Sequence, residues 1–202
     1  MTEPIQITAQ PLKLAMKNTF RHAGATRNRG ESIWVKAKRN GIAGFGEGCP
    51  RRYVAGDELE SSLMWVEENF VNNACPIRSF EELKKWVGNN QLLINRFPSA
   101  WCAIEIALLD MFTREKDCSI EKVLCLPESE RKGSYTAVLG HDQTWQYTTL
   151  LDRYFIRGFT DFKIKISGDF FDDQARLEIL DDLRRQHGVS KVRIRLDANN
   201  LW

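Results

Sequence analysis

Apolar and charged residues alternate through Phe162-Lys163-Ile164-Lys165-Ile166, and the same alternation returns at Val192-Arg193-Ile194-Arg195-Leu196-Asp197. A period of two marks a strand, because successive side chains point to opposite faces of a sheet. Between the runs, residues 172–187 carry Ala175, Ile179, Leu180 and Leu183 at helical spacing, with acidic residues leading and Gly188 as the stop. Strand, helix and strand in this order predict a right-handed crossover joining two parallel strands of one sheet. Lys163 and Lys165 then share one face, Arg193, Arg195 and Asp197 share one face of the next strand, and the intervening apolar residues face the covering helix. If the strands are immediate neighbours they lie ~4.8 Å apart, and Lys165 meets Asp197 near their carboxyl ends.

A solvated sheet face would explain alternating lysines equally well. Two arguments weigh against it. Parallel strands joined through helices bury both faces, so charges turned away from the helices point into an interior. In a barrel, charged residues at the carboxyl ends of the strands read as catalytic.

The earlier part of the chain has a different character. Residues 5–16, 32–38 and 42–47 read as an antiparallel meander, with Asn40-Gly41 marking a hairpin turn. Helical patterns follow at 57–70, at 79–87 with Ser79 and Glu82 as a capping box, and at 99–114, which is apolar nearly all round and reads as buried. A meander followed by helices is an α+β module. The charged stretch 127–133, ending in Gly133, reads as the link to a second piece. The predicted domains are therefore 1–130 and 131–202.

Composition excludes more than it suggests. Lys plus Arg number 29 against 27 Asp plus Glu, a net charge of +2 that argues for neither a nucleic acid nor an anionic membrane as partner. Five cysteines without a CxxC pair suggest neither a disulfide framework nor a zinc site. The first ten residues are mixed polar and no apolar run approaches the ~20 residues of a membrane span, so the expected location is cytoplasmic.

Lys163-Ile164-Lys165 on one predicted strand and Asp197-Ala198-Asn199 on the next resemble the enolase superfamily, in particular its muconate-lactonizing-enzyme subgroup. Gly44-Phe45-Gly46-Glu47-Gly48-Cys49-Pro50 is similar to a strand of that family's capping domain, residues 97–110 to its long helix, and Tyr135-Thr136-Ala137-Val138 to its first barrel strand. The resemblance implies an α+β capping domain, the antiparallel meander plus helices, followed by the first three strands of a (β/α) TIM-type barrel. Such a barrel runs to ~250 residues, so 134–202 is too short to close one. The expectation is a truncated barrel with an open edge at its third strand, inactive as it stands.

The chemistry implied is Mg²⁺-dependent abstraction of a proton alpha to a carboxylate, with an enediolate intermediate. By position Lys165 matches the general base or acid, Lys163 an electrostatic helper, and Asp197 a metal ligand. Thr136 and Asn199 match positions that contact substrate. Two capping-domain loops, 18–30 with Arg21, His22, Arg27 and Arg29, and 49–56 with Arg51, Arg52 and Tyr53, would receive an acidic small-molecule carboxylate substrate; solvated loops are the competing reading. Within the family a dipeptide-epimerase-like activity is favoured, with o-succinylbenzoate synthase or muconate cycloisomerase as alternatives and a homo-oligomer expected of the complete protein. Asn200-Leu201-Trp202 departs from the Gln-Gly-Trp that many dipeptide epimerases carry there. A reading of another class is a non-catalytic interaction module that pairs through the open edge.

Overall fold

A computed structural model of the chain describes residues 3–22, 25–127, 133–140 and 143–198; the side chains of residues 18, 20–22 and 25 are outside that description. The chain falls into two compact units, one of Met1–Ala15 with Arg29–Ser129 and the other of Met16–Asn28 with Glu130–Trp202.

The first sheet has the order β1 (Gln6–His22), β2 (Ala25–Arg39), β3 (Ile42–Gly48). β2 and β3 pair antiparallel, from Ile33 opposite Gly48 to Arg39 opposite Ile42. Asn40 and Gly41, both at positive φ (50° and 79°), make the turn between them. β1 and β2 run well beyond the predicted 5–16 and 32–38. The segment 18–30, expected as a loop, is largely strand; its sequence, polar with Gly24 and Gly30, shows no apolar alternation to betray a sheet.

Six helices follow: α1 (Arg52–Ala55), α2 (Leu59–Val66), α3 (Phe80–Asn89), α4 (Gln91–Arg96), α5 (Pro98–Glu115) and α6 (Ile120–Val123). A π-helical turn over Glu67–Val71 continues α2. α3 opens as the Ser79 signal predicts, with Ser79 Oγ accepting from the Glu82 amide at 3.2 Å. The core of the first unit packs Ile33, Val35 and Ala37 of β2 with Ile104, Leu108 and Met111 of α5, and an aromatic group in which Trp86 stacks on Trp101 at 4.3 Å.

The contact between β3 and α5 is unusually close, and glycine makes it possible. Gly44, Gly46 and Gly48 share one buried face, and a Cβ on each would fall 2.2 Å from Met111 N, 2.0 Å from Ala103 O and 1.8 Å from Ser99 O. Two residues of strand advance ~6.6 Å and four of helix ~6 Å, so glycines two apart stay in step with Ser99, Ala103, Ala107 and Met111 four apart. Asp110 of α5 covers the outer edge of β3, its Oδ2 accepting from the Phe45 amide at 2.9 Å. Asp57 does not start α2, as the predicted helix 57–70 would have it. Buried, it caps α5 from a distance: its carboxylate accepts from Ser99 N at 2.9 Å and Ser99 Oγ at 3.2 Å.

The second unit holds a parallel sheet in the order β4 (Ala137–Leu139), β5 (Asp161–Lys165), β6 (Arg193–Asp197). The crossovers are α7 (Thr144–Ile156) and α8 (Phe170–Gln186). Ala137, Leu139, Phe162 and Ile164 form the helix-facing side and pack against Tyr147, Leu151, Phe155, Leu180 and Leu183. Ile194 and Leu196 share that side, yet β6 is at the sheet edge and they are about half exposed. His187, at the end of α8, stacks on Phe155 and its Nε2 lies 2.7 Å from Asp152 Oδ1, tying α8 to α7.

Candidate active site

The face of β4–β6 turned away from the helices carries Val138, then Asp161, Lys163 and Lys165, then Arg193, Arg195 and Asp197. Register sets Lys163 opposite Arg195 and Lys165 opposite Asp197. At the carboxyl ends of the strands the Lys163 ammonium lies 3.1 Å and the Lys165 ammonium 3.3 Å from the same oxygen, Asp197 Oδ2. The Lys165 side chain is only 10% exposed, whereas those of Lys163 and Asp197 keep 30% and 26%. β5 is the central strand and is paired on both sides, which is why its last residue is both buried and closely placed.

The amino end of the same face is chemically separate. There Arg193 grips Asp161 with two hydrogen-bonding nitrogens, Nη2 to Oδ2 at 2.9 Å and Nε on Oδ1. The hydrogen bond from Arg193 holds the Asp161 carboxyl below its ordinary value.

After Lys165 the chain leaves the sheet through a tightly bonded loop. The Ile166 amide donates to the Asp197 carbonyl at 3.1 Å. Asp173 Oδ1 then accepts from Ser167 N at 2.8 Å and from Ser167 Oγ at 3.0 Å, and Asp173 Oδ2 accepts from Gly168 N at 3.1 Å. Asp169 caps α8 by accepting from the Asp172 amide at 3.0 Å. The sequence reading passed over this loop. The run Ser167-Gly168-Asp169 directly after a strand, with Asp172 and Asp173 one turn into a helix, was the signal that could have found it.

This parallel half-sheet and its antiparallel partner domain match a known architecture. The solved structure of a substrate-liganded complex of the L-Ala-D/L-Glu epimerase from Bacillus subtilis superposes with a TM-score of 0.83 at 22% identity, covering 99% of this chain and 54% of that one. The chain has the fold of the mandelate racemase and muconate lactonizing enzymes of the enolase superfamily. A second structure of that enolase-superfamily fold, the dipeptide epimerase from Enterococcus faecalis complexed with Mg and the dipeptide L-Leu-L-Tyr, gives a TM-score of 0.79 at 22% identity over 99% of this chain and 55% of that one. In sequence the chain is 27% identical over 207 residues to the L-Ala-D/L-Glu epimerase of Bacillus subtilis, covering 98% of this chain and 53% of the relative. No family model matches. The chain spans about half the length of the curated relatives it matches.

Among the other residues the enolase-superfamily resemblance singles out, Thr136 directly precedes β4, at the end opposite the lysines. Continuing the β4–β5 register places it level with Asp161, four residues or ~13 Å below Lys165, so the structure does not bring it to the pair. Asn199 lies outside the described residues, as do the side chains of Arg21 and His22. Arg27 is in β2 and half-buried, and Tyr53 is an exposed residue of α1.

The Enterococcus faecalis dipeptide epimerase structure holds Mg, and the donors of this chain can be tested against that ion. Asp197 is a hard oxygen ligand of the right kind, but among the described residues no three Asp, Glu, His or Cys side chains gather as a metal site. Mg²⁺ wants near-octahedral oxygen coordination. Asp197, a single carboxylate beside the lysine pair, does not by itself supply such a coordination sphere.

Proposed function

We propose that the chain carries one side of the active site of a Mg²⁺-dependent dipeptide epimerase. The observation that supports it is the meeting of two ammonium groups on a single carboxylate oxygen at the carboxyl ends of parallel barrel strands. In this reading Lys165 exchanges a proton with the substrate carbon alpha to a carboxylate. Its burial excludes bulk water from the proton it holds, and its place on a doubly paired strand fixes its approach. Lys163, more exposed, contributes positive charge toward the developing enediolate. Asp197 orients both ammonium groups and is the oxygen ligand this chain offers to Mg²⁺, which when bound would stabilise negative charge on the substrate carboxylate.

Recognition of a dipeptide carboxylate belongs to the same proposal, with Arg21, His22, Arg27 and Tyr53 of the first-sheet hairpin and α1 as contacts, together with Asn199; Thr136, at the far end of β4, is not among them. The activities of the relatives support the substrate class, since they are epimerases of L-Ala-D/L-Glu and of hydrophobic dipeptides. A cytoplasmic setting is supported by five cysteines that are all free. No helix among the described residues is long and apolar enough to cross a membrane.

The test is proton exchange in heavy water. The whole polypeptide, given Mg²⁺ and an L,L-dipeptide, should incorporate deuterium at one substrate alpha carbon, and Lys165→Ala should abolish that incorporation while leaving Mg²⁺ binding nearly intact. Unchanged incorporation in the variant refutes the role of Lys165.

A further inference from the structure

Lys165 is the last residue of β5, and two different devices hold the backbone beyond it. On one side the Ile166 amide is bonded to the Asp197 carbonyl, the last rung of the parallel ladder. Past that rung no strand among the described residues pairs with β5. Ser167 and Gly168 turn away, Gly168 at a φ of +88°, and their amides are taken up by the two oxygens of one carboxylate, Asp173. The Ser167 hydroxyl closes the loop, donating to Asp173 Oδ1 and accepting from the Asp169 amide at 3.1 Å.

We propose that Asp173 is a positioning residue for Lys165: its carboxylate, from the first turn of α8, sets the exit angle of β5 and so the place of the Lys165 ammonium against Asp197. Its functional consequence rests on the reading of Lys165 as the base; its geometric content does not. A charged carboxylate accepting two backbone amides and a hydroxyl makes charge-assisted bonds, the stronger kind. A lysine side chain is long and its four methylenes rotate, so a small turn at the Lys165 backbone becomes a large displacement of its nitrogen. A carboxamide cannot replace the carboxylate here. Asp173→Asn retains one acceptor but turns an N–H donor toward either Ser167 N or Gly168 N, leaving one amide unanswered.

Two readouts test the proposal separately from the assignment of function. The first is the rate at which an amine-acylating reagent labels Lys165, measured by peptide mass spectrometry with exposed Lys191 as internal reference. Asp173→Asn should raise labelling of Lys165 severalfold and leave Lys191 unchanged. The second is turnover by the whole polypeptide, where kcat should fall by roughly 10²-fold with KM little altered, the loss expected of a misplacement near 1 Å. Faster amide exchange at Ser167 and Gly168 with unchanged Lys165 labelling would overturn the proposal, since the brace would then be cut without consequence for the lysine. Should Asp173→Asn fail to fold, Ser167→Ala removes only the hydroxyl bond and must show the same selective rise, in smaller degree; equal labelling of Lys165 there overturns the idea as well. If Lys165→Ala leaves proton exchange intact, the functional reading fails while the labelling result still decides the role of Asp173.

Discussion

Lys163 reaches Asp197 across one register step. It lies opposite Arg195 in the β5–β6 ladder, yet its ammonium is 3.1 Å from Asp197 Oδ2, slightly nearer than that of Lys165, the residue directly opposite. One carboxylate thus draws two like charges to the same end of the sheet. Asp197→Asn removes the negative charge they share and should destabilise the second unit by about 1.5–3 kcal/mol, because hydrogen bonds to charged groups are worth about that much. It should also weaken Mg²⁺ binding by the whole polypeptide in a calorimetric titration. An unaltered titration counts against Asp197 as a ligand.

Gly46→Ala places a methyl group 2.0 Å from the Ala103 carbonyl and 2.7 Å from the Ala107 amide, both of them helix backbone. Neither can yield without moving α5 off the sheet. The expected loss is about 3 kcal/mol, at the upper end for overpacking. Thermal unfolding of the first unit reads it, and Gly88→Ala is the control, since a Cβ there meets nothing.

Asp57→Ala uncaps α5 from within the core. The Ser99 amide and hydroxyl lose their acceptor, and the amide is buried where water does not reach it easily. A cost of about 1–3 kcal/mol is expected for the unsatisfied donor. Chemical denaturation should show it as a lower midpoint, and amide exchange should quicken first at the start of α5.

Glu105 lies on α5, where burial pushes its carboxyl above the ordinary 4.5, against a smaller opposing effect of its hydrogen bond with Trp101. A raised value means the folded chain holds this proton more tightly than the unfolded one. The stabilisation is complete below pH 4.5 and is lost as pH rises through the folded value. Glu105→Gln should flatten that part of the stability profile and raise the unfolding midpoint at neutral pH. A profile unchanged between acid and neutral pH would show that Glu105 does not titrate differently in the fold.

The second unit was largely legible in advance because its signals are local. Alternation at 162–166 and 192–197 sets which residues share a face, and one connecting helix restricts how two such strands can pair. The first unit was legible only in part. The extensions of β1 and β2 show no alternation of apolar residues in sequence, so no pattern marked them as strand. Gly44, Gly46 and Gly48 were recognisable as a motif, whereas their reason, a helix backbone within contact of each Cα, lies 50 or more residues away in the chain.

By itself the sequence determined a βαβ unit, the pairing of a lysine face with an aspartate, and a buried helix over 99–114. Those follow from the period of side chains along a strand or helix, a property of neighbouring residues. Tertiary structure alone decided that both lysines meet one oxygen of Asp197, that Asp173 takes up the amides behind Lys165, and that Asp57 caps a helix 42 residues further on. Each of these is a hydrogen bond or ion pair whose geometry is set by sheet twist, register and helix docking together. No local pattern encodes such a distance, because its energy depends on where the rest of the chain has already packed.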